Sequence, residues 1–194
     1  EVVEEKEDKN GRKKRDEKII FPRYHQMDTV RRIVDDAQKN GSGKNYLIQH
    51  SAGSGKSNTI AWTAHRLAEL HDNENHTVFD GVIVITDRRV LDRQLSETVK
   101  SFSQTTGLVK HVESSSELKG ALETGVKIIT STLQKFPVIV ETIEKTAGKK
   151  FAVIIDEAHS SQSGESAADL RQALTLDEAE EQEEKAFKTI EDEI

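Results

Sequence analysis

The sequence contains no cysteine, which excludes a disulfide framework and any metal site built from thiolates. It also lacks an apolar run of about 18 residues and a signal-peptide pattern at its first residues, so nothing in it predicts a membrane span or export. We therefore expect a cytoplasmic protein without membrane contact. Only 5% of the 194 residues are aromatic whereas 32% are charged, which suggests solvated ends around a single domain.

An excess of positive charge is missing as well. The net charge is −7, and residues 177–194, with nine acids and two lysines, account for all of it. Residues 1–176 are neutral overall, so a global field that attracts nucleic acid is absent and any DNA contact must be local. We interpret 177–194 as an acidic tail or a linker to a missing part of the protein.

The first residues of the chain are also charged. Residues 1–18 contain seven acids, seven lysines or arginines and only two apolar side chains, Val2 and Val3. This composition predicts a charged linker. Residues 19–176 then form the predicted folded domain. Since the chain starts at Glu1 without a methionine, we expect further residues before it.

Within this domain, apolar runs that suit buried strands alternate with segments of helical apolar spacing. The predicted strands are 45–49, 81–85, 108–112, 126–130 and 151–155. The predicted helices are 24–39, 56–71, a helix that carries Leu91 to Phe102, and 114–122. The alternation predicts an α/β fold, in which a mostly parallel sheet carries helices on both faces.

A glycine-rich turn follows the first predicted strand, in the stretch His50-Ser-Ala-Gly-Ser-Gly-Lys-Ser57. It fits the phosphate-loop pattern G-x-x-x-x-G-K-[ST], except that His50 occupies the first glycine position. The turn of Gly53, Ser54 and Gly55 lets backbone N–H groups point inward, and the following helix adds the positive end of its dipole. The alternative is a plain Gly/Ser-rich turn before an amphipathic helix.

Four polar side chains complete the predicted ATP site. Lys56 can reach the β- and γ-phosphates, and Ser57 can hold Mg²⁺ through its hydroxyl. Asp156 and Glu157 follow the apolar run 151–155, where an acidic pair is costly unless a cation or a water network uses it. We interpret Asp156 as a Mg²⁺ ligand acting through the metal's waters, and Glu157 as the base or positioner of the attacking water. The alternative is a solvated turn.

Two other strand ends carry polar side chains at the edge where ligands of open α/β sheets bind. These side chains are Thr86, Arg88, Arg89 and Gln94 after the second predicted strand, and Ser131, Thr132, Gln134 and Lys135 after the fourth. The alternative for the first group is a capped turn, because Asp87 is a plausible helix N-cap.

Together these segments resemble a known family. The stretches that carry the resemblance are Phe21-Pro-Arg-Tyr-His-Gln26, the phosphate loop, 84–94, Ile129-Thr-Ser-Thr-Leu-Gln-Lys-Phe136 and Ile155-Asp-Glu-Ala-His-Ser-Ser-Gln-Ser-Gly164. Over about residues 19–174, the chain resembles the first RecA-like P-loop NTPase domain of a superfamily 2 helicase or translocase. Within that group it is similar to the motor subunit of type I restriction enzymes, and the last two stretches are the most specific to it.

The resemblance implies roles for individual residues. Arg23 and Gln26 would read the adenine of ATP, and His159 would couple hydrolysis to a second domain. Residues 86–94 and 131–135 would contact a DNA backbone, with sequence-independent and salt-sensitive affinity. The implied activity is ATP-dependent translocation of double-stranded DNA as part of a type I site-specific deoxyribonuclease. The implied partners are a second RecA-like domain and a nuclease domain of the same longer chain, and methylation and specificity subunits.

Several family features are missing from these residues. Nothing matches the second RecA-like domain, the nuclease motif or the Ser/Thr-Ala-Thr motif, so we expect this chain alone to be inactive. In the resembled fold, the strand after the Asp-Glu-Ala-His motif lies between the phosphate-loop strand and the Asp-Glu-Ala-His strand. Nothing after Glu157 has the pattern of a buried strand, so we expect later residues to supply it.

Two other functions stay open. The Asp-Glu-Ala-His letters recur across many helicases, so an RNA or DNA helicase of another superfamily 2 family is one alternative. A non-enzymatic module that uses ATP as a structural ligand or switch is the other, although the presence of Lys56, Ser57, Asp156 and Glu157 argues against it.

Overall fold

The computed structural model describes residues 2–7, 13–18, 20–86, 89–102, 107–135, 139 and 148–157. Side-chain positions are described for fewer residues, since those of 2–7, 13–18, 89–93 and 115 are left out. None of the helices in the described part is long and apolar enough to cross a membrane.

The domain is built on a four-stranded sheet whose neighbouring strands all run parallel. Its strands are β3 (Gly81–Thr86), β4 (Val109–His111), β5 (Ile128–Thr132) and β6 (Phe151–Ile155), in the spatial order β4-β5-β3-β6. Every residue of β3 is buried, as its unbroken apolar run predicts for a strand covered on both faces. The predicted α/β class and the parallel sheet are therefore confirmed.

Helices cover both faces of this sheet. They are α1 (Tyr24–Asn40), α2 (Lys56–Ala68), α3 (Arg89–Ser101) and α4 (Ser115–Glu123), and a short 3₁₀ helix, Leu133–Lys135, follows β5. Successive side chains of a strand point to opposite faces. Accordingly, Val82 and Val84 pack with α1, α2 and α3, whereas Ile83 and Ile85 pack with α4. The prediction of helices on both faces is confirmed.

Helix α1 packs its apolar face against α2 and ends at a glycine. Ile33, Val34 and Ala37 are buried at helical spacing. The helix stops after Asn40 because Gly41 adopts φ 74°, a left-handed conformation that glycine reaches without steric strain, and its N–H donates to the Ala37 carbonyl oxygen at 2.9 Å.

The strand predicted at 45–49 is absent, and this prediction is wrong. Residues 43–50 have no regular secondary structure, and Tyr46, Leu47 and Ile48 are exposed. A strand forms only where a neighbour supplies hydrogen bonds, and in the described residues β6 pairs with β3 alone. The segment is held instead by the Asp36 carboxylate of α1, which accepts from Lys44 Nζ at 3.0 Å and from the Tyr46 hydroxyl at 2.5 Å.

Residues 1–18, expected to be a linker, contain two paired strands. Strands β1 (Val2–Glu7) and β2 (Lys13–Lys18) form an antiparallel ribbon. The register places Glu5 opposite Arg15 and Glu7 opposite Lys13. The same register places Glu4 opposite Asp16 and Lys6 opposite Lys14, so attraction and repulsion offset each other and charge alone does not account for the pairing. The role of this segment as a connection to other domains stays a prediction, and the acidic segment 177–194 lies outside the described residues.

Candidate nucleotide-binding site

The phosphate loop turns through two glycines with positive φ, 72° at Gly53 and 83° at Gly55. Gly55 is the N-cap of α2, so the loop leads directly into the helix as the sequence predicts. A Cβ atom added at Gly55 would lie 2.6 Å from Gln26 Nε2, which leaves no room for a side chain there. The absence of a side chain at Gly55 therefore lets the Gln26 amide pack against the loop backbone at the N-terminus of α2.

Helix α1 braces this loop through Gln26, which is only 3% exposed. Its amide nitrogen donates to the carbonyl oxygens of Gly55 at 2.9 Å and Ser54 at 3.3 Å, and its amide oxygen accepts from Arg23 N–H at 2.8 Å. Both ends of the amide are thus engaged by the protein. Adenine reading by Gln26 stays a prediction that would require it to exchange these bonds, whereas Arg23 is exposed and accessible to a base.

The predicted catalytic residues meet although they are about one hundred positions apart. Lys56 Nζ lies 2.5 Å from Glu157 Oε1 and 4.0 Å from Asp156 Oδ1. The main chain of β6 brings the acids there, because the Asp156 N–H donates to the Ile85 carbonyl oxygen at 2.8 Å and so continues the β3–β6 pairing. Glu157 has φ 55°, an uncommon value for a residue with a Cβ, and its N–H donates to Asp156 Oδ1 at 3.0 Å.

These residues fit ATP and Mg²⁺ by their chemistry. The Lys56 ammonium and the glycine turn suit phosphate oxygens, while the Ser57 hydroxyl and the Asp156 carboxylate are oxygen ligands of the kind Mg²⁺ prefers. Ser57 is exposed at the start of α2, and the buried Ser54 hydroxyl has no hydrogen-bond partner among the described residues. The described residues contain no cluster of three or more His, Asp or Glu that would form a separate metal site.

Two histidines at the phosphate loop, His25 and His50, were not predicted from the sequence to belong to the site. His25 Nε2 lies 3.1 Å from the Ser54 carbonyl oxygen, and His50 Nε2 lies 3.4 Å from Thr29 Oγ1. The two imidazole rings meet edge to face, with centroids 5.3 Å apart. Burial first, then the electrostatic influence of His25 and Lys56, lowers the pKa of His50. In the sequence, this contact was indicated only by the presence of His50 where the phosphate-loop pattern has glycine.

The polar residues predicted to contact DNA divide by burial. Thr86 and Ser131 lie in the interior, and the Ser131 hydroxyl donates to the Val112 carbonyl oxygen at 3.2 Å. Neither side chain is accessible to a DNA backbone in this structure, because each is buried near the C-terminal end of a central strand. Their assignment as DNA contacts is not supported by these positions.

The other predicted contact residues are more open. Gln134 is exposed, and Thr132 and Lys135 are half-buried, all at or just after the end of β5, whereas the exposed Gln94 lies within α3. Thr132 pairs in register with Thr86, so these elements end at the same edge of the sheet as Asp156. Arg88 and His159 lie outside the described residues, and for Arg89 only the backbone at the start of α3 is described. DNA contact by this group stays a prediction.

Comparison with known proteins agrees with the fold. The SWI2/SNF2 ATPase family model matches residues 25–179. An endonuclease subunit of a type I restriction enzyme from Staphylococcus saprophyticus is 28% identical over 152 residues, which are 76% of this chain and 15% of that protein. The endonuclease subunit of the type I restriction enzyme HindI from Haemophilus influenzae is 32% identical over 152 residues, 73% of this chain and 14% of that protein.

A putative type I restriction enzyme endonuclease subunit from Methanocaldococcus jannaschii is 28% identical over 179 residues, 81% of this chain and 17% of that protein. The resemblance drawn from the motifs is thereby confirmed, and the chain spans about 15% of the length of the first of these relatives. Since the family model covers most of the residues, the chain belongs to the SWI2/SNF2 ATPase family.

Proposed function

We propose that this domain binds ATP with Mg²⁺ and hydrolyses it to drive the translocation of double-stranded DNA, as the motor of a type I restriction endonuclease. The observation that carries the proposal is the meeting of Lys56 with Asp156 and Glu157 at the N-terminus of α2. A phosphate-binding cation, a metal-binding acid and a candidate base are the parts that phosphoryl transfer to water requires. The family membership supports the same chemistry.

In this proposal each group has one task. The loop N–H groups and the Lys56 ammonium bind the terminal phosphates and neutralise charge that builds up on them. Ser57 and Asp156 would hold Mg²⁺, which polarises the phosphate oxygens when bound. Glu157 accepts a proton from the attacking water or orients it. Its carboxylate lies against Lys56, the residue that would bind the terminal phosphate.

The link to DNA rests on the sheet edge and on the relatives. Thr132, Gln134 and Lys135 lie at or just after the end of β5, which shares this edge with the nucleotide site, and Gln94 lies within α3, the helix that follows β3. The similar proteins are named as endonuclease subunits of type I restriction enzymes. We infer that the complete enzyme also contains a second RecA-like domain and a nuclease domain of the same longer chain, together with methylation and specificity subunits. His159 and the segment around it would couple hydrolysis to the second domain.

The test uses the full-length protein and measures ATP turnover with duplex DNA or single-stranded RNA. We expect duplex DNA to stimulate turnover and Lys56→Ala to abolish it, because Lys56 is the only cation within the loop. Lys119→Ala, which changes an exposed lysine of α4, serves as the matched control and should turn over normally. Stimulation by RNA instead would favour the helicase alternative. Unchanged turnover in Lys56→Ala would refute the nucleotide site.

A further inference from the structure

His50 occupies the phosphate-loop position where the pattern has glycine, and the backbone accepts it. The only residues other than glycine with positive φ in the described part are Asn75 and Glu157, so His50 has an ordinary backbone conformation. Glycine is therefore not required there for the turn. The imidazole is turned toward α1, where it meets His25 at a centroid distance of 5.3 Å and an interplanar angle of 81°.

The hydrogen-bond partners indicate that Nε2 carries a hydrogen in both rings. Thr29 has a single hydroxyl hydrogen, which it donates to the His25 carbonyl oxygen at 2.8 Å. Its contact with His50 Nε2 at 3.4 Å therefore needs a hydrogen on that nitrogen. His50 Nδ1 is buried without a hydrogen-bond partner among the described residues, which suits a neutral ring with an idle acceptor.

His25 acts at the other end of the loop. Because a carbonyl oxygen only accepts, the 3.1 Å contact between His25 Nε2 and the Ser54 oxygen places the hydrogen on that nitrogen too. Thr29 and His25 are both residues of α1, so one helix face contacts the loop at His50 and at Ser54. The peptide segment between these contacts contains Gly53, whose φ of 72° forms part of the turn.

We propose that His50 is a positioning residue of the nucleotide site: in its neutral Nε2–H form it ties the start of the phosphate loop to Thr29 and His25 of α1, and its protonation loosens the loop. We call the three residues the histidine clamp. This inference rests on the proposed function, since it concerns how the loop that binds ATP is held in shape. The clamp acts on nucleotide through the loop backbone, and His50 itself need not touch ATP.

The electrostatic surroundings give the direction of the pH effect. The groups that act on His50 are His25 from α1 and Lys56 from the first turn of α2, and together with burial they lower the pKa of His50 below its ordinary value of 6.5. A lowered folded-state pKa means that the clamp is fully effective above about pH 6.5 and weakens as pH falls through the folded-state pKa. Protonation would place an N–H on buried Nδ1, where the described residues offer no acceptor.

The experiment measures binding of a non-hydrolysable ATP analogue with Mg²⁺ to the full-length protein at several pH values. His50→Ala removes the ring, and His50→Gln keeps an N–H near the Nε2 position but does not titrate. At about pH 7.5 we expect His50→Ala to weaken binding by about threefold to tenfold, the range of one modest hydrogen bond, and His50→Gln to stay within about twofold of the unmodified protein. Thr29→Val should reproduce the His50→Ala loss, and the double variant should add little to it.

Measurements of affinity at lower pH then distinguish a positioning role of His50 from simple packing of its ring. Between about pH 7.5 and 5.5, affinity should fall more steeply in the unmodified protein than in His50→Gln, because titration of the analogue is common to both. His76→Gln, which changes a histidine of an exposed turn, is the matched control and should keep the steeper profile.

Three outcomes would overturn the clamp: normal affinity of His50→Ala, superimposable pH profiles of the unmodified protein and His50→Gln, or affinity that rises in acid through His50. The last would mean that the imidazolium binds phosphate directly. Lys56→Ala is measured in parallel. If it binds the analogue normally, the nucleotide site itself is refuted; if it loses binding, the histidine variants test the clamp alone.

Discussion

The ion pair between Lys56 and Glu157 predicts that removing the Glu157 charge strengthens nucleotide binding while it stops hydrolysis. In this structure the lysine that should bind the terminal phosphates is paired with the candidate base at 2.5 Å. ATP must therefore break the ion pair between Lys56 and Glu157 before Lys56 can bind its phosphates. Glu157→Gln keeps the shape of the side chain and removes the competing charge.

The magnitude follows from the exposure of the pair. The Lys56 and Glu157 side chains are 37% and 33% exposed, so solvent screens them and the pair is worth about 1 kcal/mol, the upper end for surface ion pairs. Losing a competitor of about 1 kcal/mol tightens binding by about fivefold. The variant also lacks the repulsion between a carboxylate and the phosphate anions, which acts in the same direction.

The assay compares analogue affinity of the unmodified protein and Glu157→Gln without Mg²⁺, and then single-turnover hydrolysis with Mg²⁺. We expect about fivefold tighter metal-free binding, and hydrolysis slower by about 10²–10⁴-fold, the usual contribution of a general base. Because screening weakens exposed ion pairs, the difference in affinity should shrink as salt is raised. Weaker metal-free binding by the variant would refute the competition, and loss of binding only with Mg²⁺ would assign Glu157 to the metal.

Three further predictions concern the loop, the DNA edge and the sheet. Gly55→Ala should weaken nucleotide binding more than Gly53→Ala, because both residues have positive φ but only at Gly55 would a Cβ meet another atom, Gln26 Nε2 at 2.6 Å; titrations of the two variants check this. Arg88→Ala and Lys135→Ala should each lower duplex affinity for all sequences and flatten its salt dependence by roughly one unit of log–log slope. If the log–log slope of affinity against salt is unchanged, Arg88 and Lys135 do not contact DNA and have structural roles only. In the full-length protein, the β6 amides should exchange with solvent more slowly than in residues 1–194 alone, because we expect a later strand to pair with β6.

The parts of the fold that were predictable are those whose pattern is local. The apolar run of β3 and the helical spacing of Ile33, Val34 and Ala37 in α1 each specify an element without reference to the rest of the chain. The strand predicted at 45–49 failed because Tyr46, Leu47 and Ile48 have the right composition but no neighbouring strand in the described part. Composition shows that a segment can be a strand, and only pairing makes it one.

The candidate site shows the same division. Lys56, Ser57, Asp156 and Glu157 belong to a pattern, and the first of them meets the acids in space as expected. The contacts of His25, Thr29 and His50 depend on how α1 packs over the loop, which no spacing along the chain encodes. The burial of residues at strand ends is likewise not encoded by spacing along the chain. Hydroxyl residues at the end of an apolar run look accessible in the sequence, but their exposure is set by what covers the edge.

The Asp36 carboxylate has a consequence for the dynamics of the ATP site. It accepts from Asn40 at 2.7 Å, from Lys44 at 3.0 Å and from the Tyr46 hydroxyl, whose pKa is raised to about 12 by burial first and then by this carboxylate. The segment leading to the phosphate loop is thus anchored to a helix rather than to a sheet. Opening of the C-terminal turn of α1 would release that segment, whereas Gln26, near the N-terminal end of the helix, would still hold the loop at Ser54 and Gly55. The helix end and the segment should therefore open and close as one cooperative unit, separately from the loop.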